Sequence, residues 1–172
     1  MTRRNPLVAI VLGSDSDLPH MEGAFKVLER FAIAYETRIL SAHRSPEAVA
    51  AFATSAREAG IKVIIAAAGS AAHLAGALAA RTVVPVIGVP VPALPLQGID
   101  ALLATVQMPA GVPVATVAIG AAGGTNAALL AAQILGLGDP QVTAKLVEYR
   151  EELAAKVQAR DRAVREAQRE TG

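Results

Sequence analysis

The sequence predicts an α/β protein built on a parallel sheet with helices on both faces. Short apolar, β-branched runs alternate with segments of helical spacing along the whole chain. The apolar runs are unbroken instead of alternating with polar residues, as strands buried on both faces require. The length, 172 residues, suits one domain spanning 1–172, large enough to bury a core without staples.

Taken in order, Leu7–Leu12 reads as the first strand. Asp17–Phe31 reads as a helix, with Met21, Ala24, Phe25 and Leu28 near helical spacing. Tyr35–Leu40 is the second strand, and Pro46–Ala59 the second helix. Ser45 stands at its N-cap, Pro46 in the first turn, where a missing N–H is harmless, and Gly60 at its stop. Val63–Ala67, Ala71–Ala80 and Val84–Val89 continue the alternation as strand, helix and strand. A Pro-rich loop, "PVPALPLQG" at 90–98, leads to a short helix at Ile99–Val106. Val112–Ile119 is the fifth strand, and Thr125–Leu135 is a helix ended by "GLG". The core thus runs 7–138, and a charged amphipathic helix closes the chain as a tail over 140–170. About five strands linked by helices suggest the flavodoxin-like order 2-1-3-4-5, with ligands at the carboxyl ends of the strands.

Composition removes several function classes. With no cysteine, disulfides, zinc ribbons and thiol nucleophiles are excluded, and a cytoplasmic location fits. Sixteen basic and fifteen acidic residues leave a net charge of +1, which gives no push toward nucleic acid or an anionic membrane. Hydrophobic residues make up 53% of the chain, and the mean hydropathy is +0.42. The longest apolar runs carry His73, glycines or prolines, so none makes a good transmembrane helix. The apolar run near the start is short and is followed by "SDSD", unlike a signal peptide. The surplus apolar surface is expected between subunits of a homo-oligomer.

Polar oddities gather at the expected strand exits. "GSDSD", Gly13–Asp17, opens a helix with free amides and the hydroxyls of Ser14 and Ser16, which suit an anion, while Asp17 suits a ribose hydroxyl. The same residues also read as a capping cluster. In "SAHRSP", Arg44 offers a fork for phosphate, Ser41 a hydroxyl, and His43 a group that can move a proton near neutrality. A connecting loop with a surface His and Arg is the alternative, and no acidic residue stands there to orient the imidazole. "AAGSAAHLAG", Ala67–Gly76, has small residues that bring backbone close to a ligand. His73 within it reads, by itself, as a packing residue in the first turn of an apolar helix. His20 reads as solvated among polar neighbours. Three scattered histidines without paired carboxylates give no metal site. "QMPAGVPVAT" and the Pro-rich loop read as wall and interface.

Together, and in this order, "GSDSD", "SAHRSP", "AGSAAHLAG", "GVPV", "QMPAGVPVAT" and "NAALLAAQIL" resemble the N5-carboxyaminoimidazole ribonucleotide mutases (PurE, class I) of purine and IMP biosynthesis. The resemblance covers about Val8 to Leu135. It implies a three-layer sandwich, a homo-octamer, and an isomerase that needs no cofactor and no metal. It implies that carbon dioxide moves from the exocyclic nitrogen of the aminoimidazole to a ring carbon, with His43 as the acid and base. Phosphate and ribose contacts would fall on Ser14, Asp17 and Arg44, with Ser16 and Ser41 close by. The loop Gly69, Ser70 and Ala72, with His73 and Leu74, would face the transferred group. Three residues depart from the family pattern: Ser70 for a second glycine, Ala75 for proline and Ala121 for lysine. The rival readings are a carboxylase using aminoimidazole ribonucleotide and free carbon dioxide, a non-catalytic nucleotide-binding module, and a flavin carrier, the last disfavoured by 3% aromatics and no Trp.

Overall fold

The computed structural model describes residues 5–170. Five parallel strands form one sheet: β1 (Val8–Leu12), β2 (Tyr35–Ile39), β3 (Val63–Gly69), β4 (Val86–Val91) and β5 (Ala115–Thr116). Their order is β2-β1-β3-β4-β5, as the alternation of strand and helix suggested. The register pairs Val8 with Tyr35 on one side and with Val63 on the other, and Ile64 with Val86.

The two sides of β1 explain its unbroken apolar run. Val8, Ile10 and Leu12 face one helical layer, packing with Met21, Leu28, Phe31 and Ala128. Ala9 and Val11 face the other, with Val49, Ala53, Leu74 and Leu78. The first layer holds α1 (Glu22–Arg30) and α5 (Ala121–Gly136), the second α2 (Pro46–Ser55) and α3 (Leu74–Ala79). α4 (Ile99–Val106) packs on β4, where a Cβ on Gly88 would fall 2.3 Å from Thr105 Cγ2. α5 approaches closely because its inner face is small. Ala127, Ala128, Ala131 and Ala132 are fully buried, and a Cβ on Gly123 would fall 1.7 Å from the Ala118 carbonyl oxygen.

Several boundaries differ from the sequence expectation. The helix expected over Asp17–Phe31 is a 3-10 helix, Asp15–Met21, followed by α1. Pro19 removes a donor there, and Ser14 and Asp17 form a capping box that satisfies the turn locally. β4 lies two residues later than expected, which carries Val91 to the sheet's carboxyl edge. The fifth strand shrinks to two residues because Pro113 interrupts the ladder, although Val117 N–H still bonds the Gly88 carbonyl. α2 ends at Ser55 and turns through Gly60 at φ +92°.

α6 (Pro140–Glu170) is 31 residues long. Its first turns dock on α1 and α5 through Val142 and Tyr149, an Arg30–Glu152 ion pair, and Lys145 Nζ donating to the Phe31 carbonyl at 2.8 Å. From Leu153 to Arg169 every side chain is exposed. No helix among the described residues is long and apolar enough to cross a membrane.

Candidate active site

At the carboxyl ends of β1 to β4 the loops enclose a cavity of about 470 Å³. The first loop leaves β1 at Gly13, whose N–H bonds the Ala67 carbonyl at 2.9 Å. Ser14 is the N-cap of the 3-10 helix. Its N–H donates to Asp17 Oδ2 at 2.9 Å, and its hydroxyl accepts from Ser16 N–H at 3.3 Å. The Ser16 hydroxyl donates to Ser14 Oγ at 2.9 Å. The capping reading of "GSDSD" is therefore correct, and all three of Ser14, Ser16 and Asp17 also line the cavity. Asp17 is only 5% exposed. Burial pushes its carboxyl above the usual range, opposed by the Ser14 N–H and then by nearby His20.

The second loop turns on Ser41. Its hydroxyl accepts from Arg44 N–H at 3.2 Å, and its own N–H donates to Ser45 Oγ at 3.1 Å. Ser45 stands at the N-cap of α2, but its hydroxyl is spent on Ser41 and makes no helix cap. This tight turn fixes Ala42 to Arg44 at the cavity wall and leaves the Arg44 guanidinium without a carboxylate partner among the described residues.

The third loop corrects the reading of His73. Ser70 takes a left-handed backbone at φ +53°, and Ala72 and His73 donate back to the Ser70 and Ala71 carbonyls at 2.8 Å. The helix therefore starts only at Leu74, with His73 at its N-cap. His73 is not a packing residue: its Nδ1 lies 2.7 Å from His43 Nε2, with the rings edge to face at 80°. One nitrogen donates and the other accepts, so the contact cannot hold with both rings fully protonated. The partner of His43 is thus a second imidazole and not a carboxylate. Gly69 closes in on β4, since a Cβ there would stand 3.1 Å from the Val91 carbonyl oxygen. Gly69, Ser70 and Leu74 line the cavity, whereas Ala72 is buried beneath the loop and does not.

Outside the three polar loops, four lining residues escaped the reading as site members: His20, Val91, Pro92 and Ala93. The Pro-rich loop was legible as a wall. His20, expected to be solvated, is half-buried at the cavity, and its position three residues after Asp17 in a 3-10 turn was the only available signal. Among the described residues, no three His, Cys, Asp or Glu side chains are grouped to share a metal ion.

The N5-carboxyaminoimidazole ribonucleotide mutase of Pyrococcus horikoshii is 51% identical over 96% of this chain and 93% of its own. The protein of the same name from Mycobacterium tuberculosis strain H37Rv is 54% identical over 91% and 88%. The crystal structure of Treponema denticola PurE superposes with a TM-score of 0.82 at 33% identity, covering 91% of this chain and 96% of that one. With the AIR carboxylase family model matching residues 7–156, through every strand and loop that builds the cavity, the chain belongs to the AIR carboxylase family.

Proposed function

We infer that the protein is a mutase that converts N5-carboxyaminoimidazole ribonucleotide into 4-carboxy-5-aminoimidazole ribonucleotide. Relatives more than half identical over most of their length carry that name. The observation that carries the mechanism is the His43–His73 contact of 2.7 Å at the mouth of a cavity with an anion cradle.

Ser14, Ser16 and Arg44 supply donors for the phosphate, and Asp17 accepts from the ribose. Ser41 acts through the turn that presents His43 and Arg44. Protonated His43 donates to the carbamate nitrogen, the carbon–nitrogen bond breaks, and carbon dioxide is released beside the ring. The electron-rich ring carbon attacks it, and neutral His43 removes the proton from that carbon, so the proton given is the proton regained. His73 holds the imidazole in one orientation through both steps. The small loop Gly69–Ala72 with Leu74 keeps carbon dioxide near the ring, so that proximity replaces any covalent step.

The exposed apolar side chains of Leu94, Leu96, Ile99, Leu103 and Val106 support assembly into a homo-oligomer, with an octamer as the proposed form. The cysteine-free composition suits a cytoplasmic enzyme. The family description favours a second reading, carboxylation of aminoimidazole ribonucleotide by free carbon dioxide. One experiment separates the two. Wild type and His43→Asn are each given the carbamate substrate, and separately aminoimidazole ribonucleotide with dilute bicarbonate. Turnover of the carbamate alone, lost in the variant, supports the mutase. Turnover only of the unsubstituted nucleotide supports the carboxylase. Full activity of the variant overturns the mechanism.

A further inference from the structure

All three histidines of the chain line one cavity. Two of them touch each other. The third, His20, has no role in that pair, yet its surroundings are built. It follows Asp17 by three residues in the 3-10 helix, where side chains three apart eclipse. Its backbone is clamped from below, because α5 packs so closely that a Cβ on Gly124 would lie 2.3 Å from the His20 carbonyl oxygen. Its ring stands near Gly120, with Nδ1 3.7 Å from where a Gly120 Cβ would be. The imidazole is half-buried, and its ring nitrogens make no hydrogen bond to any described residue. A half-buried polar ring at a cavity wall, with no protein partner, is open to hydrogen-bond with what enters the cavity.

We propose that His20 is a sugar-binding residue that donates to a ribose hydroxyl oxygen which Asp17 engages from its other side. The chemistry is complementary. A ribose diol presents donors and acceptors, and a carboxylate can only accept. Asp17 already spends Oδ2 on the Ser14 N–H, which itself is no longer free to reach the sugar. An imidazole N–H beside the carboxylate supplies the donor that the diol oxygens lack. This deepens the functional reading above and rests on it for the identity of the sugar as part of a ribonucleotide.

The test measures binding of ribose 5-phosphate and of inorganic phosphate to wild type, His20→Ala and His20→Gln by titration calorimetry, with thermal unfolding in parallel. Loss of one neutral hydrogen bond should weaken ribose 5-phosphate about 3- to 10-fold in His20→Ala, with inorganic phosphate unchanged. His20→Gln, which keeps an N–H donor, should recover most of the affinity. Equal weakening of both probes would place His20 at the phosphate and overturn the sugar contact. No weakening of either, or weakening matched by a fall in melting temperature in both variants, would overturn it as well. If the wild type binds ribose 5-phosphate in the expected way but lacks mutase turnover, the functional reading fails and the His20 contact stands.

Discussion

His43 Nε2 and His73 Nδ1 meet at 2.7 Å although thirty residues separate them. β2 delivers the first and β3 the second, and the sheet order keeps these strands apart with β1 between them. The contact therefore bridges across the β1 exit. His43→Asn should lower turnover by about 10²- to 10⁴-fold, the usual contribution of a general acid–base group. His73→Ala should lower kcat while aminoimidazole ribonucleotide still binds, because it removes an orienting contact. Steady-state kinetics with calorimetric binding checks both.

Asp17 makes stability depend on pH in an unusual direction for a carboxylate. Burial raises its folded value above its unfolded one, so the folded state binds more protons in the window between them. This group therefore lowers stability as pH rises through that window, from the ordinary carboxylate range up to the raised value. Asp17→Asn should remove that contribution while weakening nucleotide binding. Denaturant unfolding of both proteins from pH 3 to 7 tests the sign, and a wild-type stability that rises with pH relative to Asp17→Asn would contradict it.

Ser70 holds a left-handed backbone that a side chain disfavours by roughly 1–2 kcal/mol. Ser70→Gly removes this strain but adds unfolded-state freedom of about 0.5–1 kcal/mol, so it should leave the protein equally stable or slightly more so. Ser70→Val, β-branched in the same conformation, should destabilise it. Melting temperatures of the two variants should move apart.

Gly123→Ala should be poorly tolerated, because the new methyl would collide with the Ala118 backbone. Overpacking of this kind costs about 1–3 kcal/mol. At about 2–4 °C per kcal/mol, thermal unfolding should show it clearly.

Much of this was written in the sequence. The inward and outward residues of β1 are all apolar, so a doubly covered parallel strand followed directly, and the sheet order followed from the alternation of elements. Loop residues such as Arg44 and Asp17 stood out by their place at strand exits, with a surface loop and a capping cluster as the alternatives. His73 was harder: its partner lies across the sheet, and only the strained turn at Ser70 lifts it out of a helix. His20 was hidden because the apparent helix opens as a 3-10 turn, containing Pro19, that places it at the cavity wall. The shortened β5 reflects a local rule, a proline without a donor, overriding an apolar run.

The outer half of α6 has a consequence of its own. From Leu153 to Arg169 every side chain is exposed, and most helical stability in proteins comes from tertiary packing of one face. Val157 and Val164 recur seven residues apart on its surface. Helicity here is thus expected to be lent by a neighbouring molecule, so the far-ultraviolet ellipticity should weaken as the protein is diluted. The arm would then act as a gauge of protein concentration, ordered in company and frayed when alone.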